Sequence, residues 1–419
     1  MTGKQHTAGS ALVFLEQMAQ RAFVAALLTL LVLCVVLPNS FQIASAIMLI
    51  ACFLFALPVV RINRQLATLG FLYLAGVVVT LAYLLVGVLH GASTEAIKQV
   101  GIIYIASPLL WMFISAGAVQ TLAPERLIRW FALLGFTCCL SIVAFYFLFM
   151  HFGAHAVVFL QANANVDFAE GYAASTMFVY GSLIFICGGF FASPELIRGE
   201  VYRAGLLVAF ALAALTSGRS ALILSIPVGM LLGLFLPVEK DRPRLAFRKK
   251  LAKSVAMVAI AILILMLATD ISISYVLEIF VDKLASAGGA VRSEQMLALL
   301  NASMDANGMG AGHGIGIDYV RDDEYPWRYE TVWLATVYRV GMIGTLIYLL
   351  PFAWYLAKIA SQARAGKLQP HHKFMFSGFV CAFLASNTNP YIESFTFQWM
   401  YVMPIVSLLS IAQAAKNFR

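Results

Sequence analysis

Long, almost unbroken apolar runs alternate with short polar connections along this chain, and the runs set its architecture. A bilayer core about 30 Å thick takes roughly 20 apolar residues wound as a helix. Runs of that kind lie near residues 22–37, 43–60, 66–89, 99–117, 127–150, 172–192, 203–216, 220–237, 252–272, 330–357, 372–386 and 396–413. They predict an all-α polytopic membrane protein of about 12 transmembrane helices, folded as a single bundle over residues 1–419. Ala44, Ser45 and Ala46 resemble a signal-peptide cleavage site, but the residues that follow, Ile47 to Val60, are simply the next apolar run, so the N-terminal segment is read as retained. No internal repeat and no matching pair of broken helices marks the chain as a transporter.

Composition strengthens this picture. Of 419 residues 62% are hydrophobic and 11% charged, a balance that no water-soluble domain of this length needs to cover its surface. With the N-terminus placed in the cytoplasm, 21 of the 28 basic residues fall on that side; Lys98, Arg219, Lys283, Arg292, Arg321, Arg328 and Arg339 are left outside with 14 of the 20 acidic residues. The positive-inside rule then puts both termini in the cytoplasm. The net charge of +8 follows from this loop bias and implies no nucleic-acid partner. All six cysteines, at 34, 52, 138, 139, 187 and 381, fall in apolar runs, where they serve as small hydrophobes rather than as disulfide or zinc ligands.

Three connections are long: 151–171 outside, the basic 239–250 inside, and 273–329 outside. A connection of nearly 60 residues is rarely structureless, and the last one predicts two short helices framing a glycine-rich turn. Val291, Met296, Leu297, Leu300 and Met304 recur at helical spacing, which predicts an amphipathic helix over 291–305 lying at the membrane surface. Asn307 to Asp318 follows, with glycines at 308, 310, 312, 314 and 316 around His313. Such glycines let main-chain amides approach a ligand. Neither the dinucleotide fingerprint nor a P-loop matches their spacing.

Candidate chemistry collects on the outer side. His313, at the mouth of the bundle, can accept a proton as a neutral imidazole, or be a solvated loop histidine. Arg219, in the turn from Thr216 to Ser220, begins a helix, where its charge opposes the dipole unless an anion such as phosphate sits against the same amides. Arg292 repeats that arrangement at the start of the loop helix, or pairs with a carboxylate such as Glu294. Arg339 and Glu330, in the outer half of the tenth run, are charges near lipid depth that serve a function or pair structurally. His151 and His155 at i,i+4, and Asp322 to Glu324, are weaker metal-compatible sets. His371 and His372, beside Lys373, mark a membrane boundary and carry no assigned chemistry.

The helix count, the turn at Arg219, Arg292 ahead of Gly312-His313-Gly-Ile-Gly316 in a large late outer loop, and the short final spans together resemble the bacterial O-antigen ligases of the WaaL type, within the O-antigen ligase and polymerase superfamily. The resemblance spans nearly the whole chain. It implies a GT-C-like fold and transfer of a glycan from an undecaprenyl pyrophosphate donor to the lipid A-core oligosaccharide, at the periplasmic face of the bacterial inner membrane. It also implies His313 as general base and Arg219 and Arg292 as ligands of the pyrophosphate. The first outer connection, Pro38 to Gln42, lacks the acidic residues that metal-dependent GT-C enzymes carry, so the implied transfer is metal-independent and free of cofactor; direct attack of the acceptor hydroxyl on the anomeric carbon implies inversion. Partners are then the two lipid-linked substrates and membrane lipids. Rival readings are an O-antigen polymerase of the same superfamily, a transporter of lipid-linked glycans or anions, and a structural membrane protein that makes no demand on His313.

Overall fold

The structure, a computed structural model, describes residues 3–38, 40–153, 155, 164–169, 172–177, 179–217, 219–236, 256, 259–260, 263–264, 290–320, 323 and 325–409. The basic connection 239–250, nearly all of the ninth apolar run, the first part of the long outer connection, Asp322 and Glu324 lie outside the described residues.

Helices dominate. In chain order they are α1 (Gly3–Val35), α2 (Gln42–Ala56), α3 (Arg64–Leu89), α4 (Thr94–Val100), α5 (Ser107–Thr121), α6 (Pro124–Phe152), α7 (Tyr180–Ala192), α8 (Glu200–Thr216), α9 (Ser220–Phe235), α10 (Ala290–Asp305), α11 (Val332–Arg364), α12 (Pro370–Ala385) and α13 (Trp399–Leu409). Five stretches among the described residues are long and apolar enough to cross a membrane: Glu16–Val35, Arg64–Leu89, Thr94–Thr121, Pro124–Phe149 and Val332–Arg364. Their outward faces carry the same message as their length. On α3, Phe71, Leu74, Val78, Leu81 and Leu85 form a helical stripe between 52% and 72% exposed, apolar surface that a water-soluble fold would bury. The chain is a helical membrane protein in its architecture.

Two expectations are corrected. The sixth run, placed at 172–192, starts as a strand: β2 (Tyr172–Met177) pairs antiparallel with β1 (Ala164–Ala169), and the helix begins only at Tyr180. Hydrophobicity marks what leaves water, not whether the backbone pairs within a helix or between two strands. Among the described residues the long outer connection forms one helix, α10, ahead of its glycines, and no second helix follows them.

The core lies where α7 packs between α9 and α12. At 13 residues α7 rises about 20 Å, and every one of its residues is buried. Backbones touch here because side chains are missing: a Cβ at Gly378 would meet the Phe185 carbonyl at 2.6 Å, and one at Gly189 would meet that of Phe374 at 2.8 Å. All six cysteines are buried and unpaired.

The span from Thr94 to Thr121 is not uniform. Between α4 and α5, Gly101–Ala106 winds as a π-helix, whose extra residue loosens the backbone ladder and turns Tyr104 toward the outer loop. Side chains from elsewhere take the loosened carbonyls: Tyr73 Oη donates to Ile105 O, and Gln398 Nε2 donates to Ile103 O at 2.7 Å.

Candidate active site

The glycine-rich segment is a wedge between α3 and α11. Helix α11 breaks at Gly341 (φ 69°, ψ 179°), which frees backbone groups on its inner side. The amides of Ala311 and Gly312 donate to the carbonyls of Tyr338 (2.7 Å) and Arg339 (2.9 Å), and the amide of Met342 donates to Gly308 O (3.0 Å). From α3, Tyr83 O accepts the His313 amide (2.9 Å), Tyr83 Oη donates to Met309 O (2.6 Å), and His90 Nδ1 bonds Ala311 O (2.9 Å). Gly312 sits at φ 105°, and a Cβ there would stand 2.5 Å from the Gly87 nitrogen. The glycines therefore serve backbone-to-backbone packing. The expectation that they hold amides toward a ligand is corrected for residues 311 to 313, whose N–H groups are taken by helix carbonyls.

That packing carries His313 inward. The side chain is 1% exposed, which corrects its placement at an open mouth. Its ring lies 5.0 Å from the Tyr104 ring, Nε2 is 3.0 Å from Tyr348 Oη, and Nδ1 is buried without a hydrogen-bond partner. Burial first, and the Arg339 guanidinium second, push its pKa down to about 3. The imidazole is neutral across physiological pH, which a proton acceptor requires.

Arg219 and Arg292 gather elsewhere at the same end of the bundle, around Tyr391. Arg219 stands at the N-cap of α9 with no side-chain cap bond, its guanidinium 5.9 Å from the Tyr180 ring. It is partly exposed and has no carboxylate partner among the described residues. Arg292 does not use Glu294; its Nε pairs with Glu330 Oε2, both side chains partly exposed. Gln295, buried one turn on, accepts the amides of Glu330 (2.9 Å) and Thr331 (3.3 Å) and so ties α10 to the start of α11. Tyr391 feels all three charges: desolvation and Glu330 raise its pKa, while Arg219 and Arg292 pull it down. The apolar stripe of α10 faces away from this anchor, with Met296, Leu297, Leu300 and Met304 between 47% and 61% exposed. That orientation suits a helix at a lipid surface.

Arg339 and Glu330 do not pair with each other. Arg339 Nη1 pairs with Glu393 Oε1, Nη2 donates to Trp327 O (2.7 Å), and Nη1 also reaches Tyr104 Oη (3.2 Å). Tyr104 Oη donates to Glu393 at 2.7 Å, and Trp327 Nε1 donates to Gln99 Oε1 at 2.6 Å. Each charge in this knot is compensated. The short 3-10 turn Tyr391–Glu393 joins the two clusters, Tyr391 beside the free arginine and Glu393 beside the His313 neighbours. Beneath them a cavity of about 170 Å³ opens between α3, the π-helix, α11 and α13, lined mostly by apolar side chains, with Tyr104, Tyr348, Glu393 and Gln398 among its polar ones.

His313 thus shares its pocket with Tyr104, Tyr348 and Arg339 and, among the described residues, makes no hydrogen bond or ring contact with Arg219 or Arg292. His151 and His155 are exposed, and no group of three His, Cys, Asp or Glu side chains among the described residues has the proximity of a metal site. Sequence reading passed over Tyr104, Tyr348, Gln295 and Glu393. Only Glu393 left a signal, an acid in the short polar stretch between two apolar runs, open to the same argument that singled out Arg339. Compared with protein-family models, curated proteins and solved structures, the chain gives no match to any.

Proposed function

We propose that the protein is a metal-independent, inverting glycosyltransferase of the O-antigen ligase type: about 12 spans in a GT-C-like bundle, both termini cytoplasmic, and a periplasmic site that moves a glycan from undecaprenyl pyrophosphate to a lipid A-core acceptor. The observation that carries the reading is the guanidinium of Arg219, without a carboxylate partner among the described residues, at a helix N-terminus and sharing the field at Tyr391 with Arg292. Two arginines and a helix start favour a pyrophosphate. The acceptor hydroxyl oxygen attacks the anomeric carbon, the bond from that carbon to the pyrophosphate oxygen breaks, and the hydroxyl proton passes to His313. Undecaprenyl pyrophosphate leaves with both electrons of the broken bond, its charge held by the arginines.

A base with so low a pKa is weak at rest. The donor's negative charge, arriving at the same bundle end, opposes the depressing effect of Arg339 and raises the basicity of His313 when substrate is bound. The apolar cavity beneath the site and the exposed stripe of α10 support substrates whose tails stay in lipid.

The test is transfer in detergent, with chelator, from a purified undecaprenyl-pyrophosphate glycan to lipid A-core, comparing wild type with His313→Ala, Arg219→Ala and Arg292→Ala. Product that survives chelator and is lost in all three variants is expected. Chain extension without acceptor would favour the polymerase, and absence of product from wild type would sink the transfer reading.

A further inference from the structure

We infer that Tyr348 fixes His313 as its Nε2–H tautomer, leaving Nδ1 as the nitrogen that accepts the proton. The argument is a count of protons along three oxygens and a ring. Thr80, fully buried on α3, donates its hydroxyl to Gly76 O at 2.9 Å. Its oxygen stands 2.8 Å from Tyr348 Oη. With the Thr80 proton committed to the helix carbonyl, that contact requires Tyr348 to be the donor. Tyr348 then has no second proton to offer, so its 3.0 Å contact with His313 Nε2 requires the ring nitrogen to donate. A neutral imidazole has one N–H, and Nδ1 is left a bare lone pair.

The surroundings agree. Nδ1 is buried with no hydrogen-bond partner among the described residues. In the reverse tautomer it would be a buried N–H without an acceptor, an orphan that folded proteins avoid more strictly than an under-used acceptor. The backbone that carries the ring is fixed by its amide bond to Tyr83 O, and the ring packs against that of Tyr104, 5.0 Å away and tilted by 50°. Tyr348 is a positioning residue: it touches no reacting atom and acts by setting which nitrogen is free. The tautomer stands on these hydrogen bonds alone, whereas its catalytic meaning rests on the transfer reading above.

The experiment is a long-range proton–nitrogen correlation spectrum of the full-length protein, labelled with nitrogen-15 histidine in detergent at pH 7, with the His313 signals assigned by their loss in His313→Gln. The expected result is a pyrrole-type Nε2 and a pyridine-type Nδ1 at His313 in wild type. In Tyr348→Phe the His313 nitrogens should shift while the other six histidines stay put; Thr80→Val removes the outer link and should move the same signals less. An Nδ1–H tautomer in wild type overturns the inference without any variant having to fold, and so do unchanged His313 signals in a folded Tyr348→Phe. In the transfer assay, Tyr348→Phe should lower kcat on the order of tenfold with KM unchanged, short of the roughly 10²–10⁴ that a general base contributes. Failure of wild-type transfer would remove the ligase reading and leave the tautomer; active transfer with an Nδ1–H ring would remove the tautomer alone.

Discussion

Arg339 and Arg219 stand at the same end of the bundle, and they differ in how much of their charge is already spoken for. Arg339 is 4% exposed and engages Glu393, Tyr104 and the Trp327 carbonyl. Arg219 is partly exposed, lies against the ring of Tyr180 and near Tyr391, and has no carboxylate partner among the described residues. A saturated buried pair holds elements together and has nothing left for a ligand, whereas an uncompensated guanidinium at a helix start is poised for an incoming anion. The contrast separates the charges that position this site from those available to act in it.

Glu393→Ala tests the saturated side hardest. It leaves Arg339 buried without its carboxylate, and unfolding in detergent should show a loss of about 3–5 kcal/mol; an unchanged midpoint would mean that Arg339 has another route to compensation. Arg219→Ala should do the opposite: stability within about 0.5 kcal/mol of wild type, with transfer down about 10²–10³-fold. If it unfolds the protein instead, the contrast between the two arginines collapses.

His313 is buried like Arg339, but its Nδ1 has no hydrogen-bond partner among the described residues. Its folded pKa lies below the unfolded value, so the unfolded state binds the extra proton as pH falls and stability drops from about pH 6.5 toward 3. At pH 4.5 this contribution is about 3 kcal/mol, read as a steeper pH dependence of unfolding for wild type than for His313→Gln. Equal slopes would show that the histidine is solvated.

Gly312→Ala forces a Cβ against α3 at a positive φ and should cost about 2 kcal/mol. The smallest effect is the coupling of Arg292 with Glu330, partly exposed on both sides, which a double-mutant cycle should put below about 1 kcal/mol. A larger coupling would make Arg292 a structural residue like Arg339, and no longer a partner for Arg219.

Much of the fold was legible without coordinates. Among the described residues five of the apolar runs lie in helices long and apolar enough to cross a membrane, and the stripe from Met296 to Met304 is an exposed face of α10. The sixth run misled because apolar length does not distinguish the hairpin at 164–177 from the helix that follows. The candidate site was half legible. Arg219 drew attention as a charge in the wrong place for a dipole, and it has no carboxylate partner among the described residues. His313 drew attention for the wrong surroundings: in a glycine-rich loop it reads as solvated, and the break of α11 at Gly341 is what opens backbone partners and draws the segment inward.

By itself the sequence determined which segments leave water, because transfer into lipid sums over adjacent residues and needs no knowledge of distant ones. Only the tertiary structure decided which charges neutralise one another and which nitrogen of His313 is free. Tyr83 meets Met309 across 226 positions and Arg339 meets Glu393 across 54. Hydrogen bonds and ion pairs act over a few ångströms of space, and no local pattern in the chain encodes which distant partner will fill them.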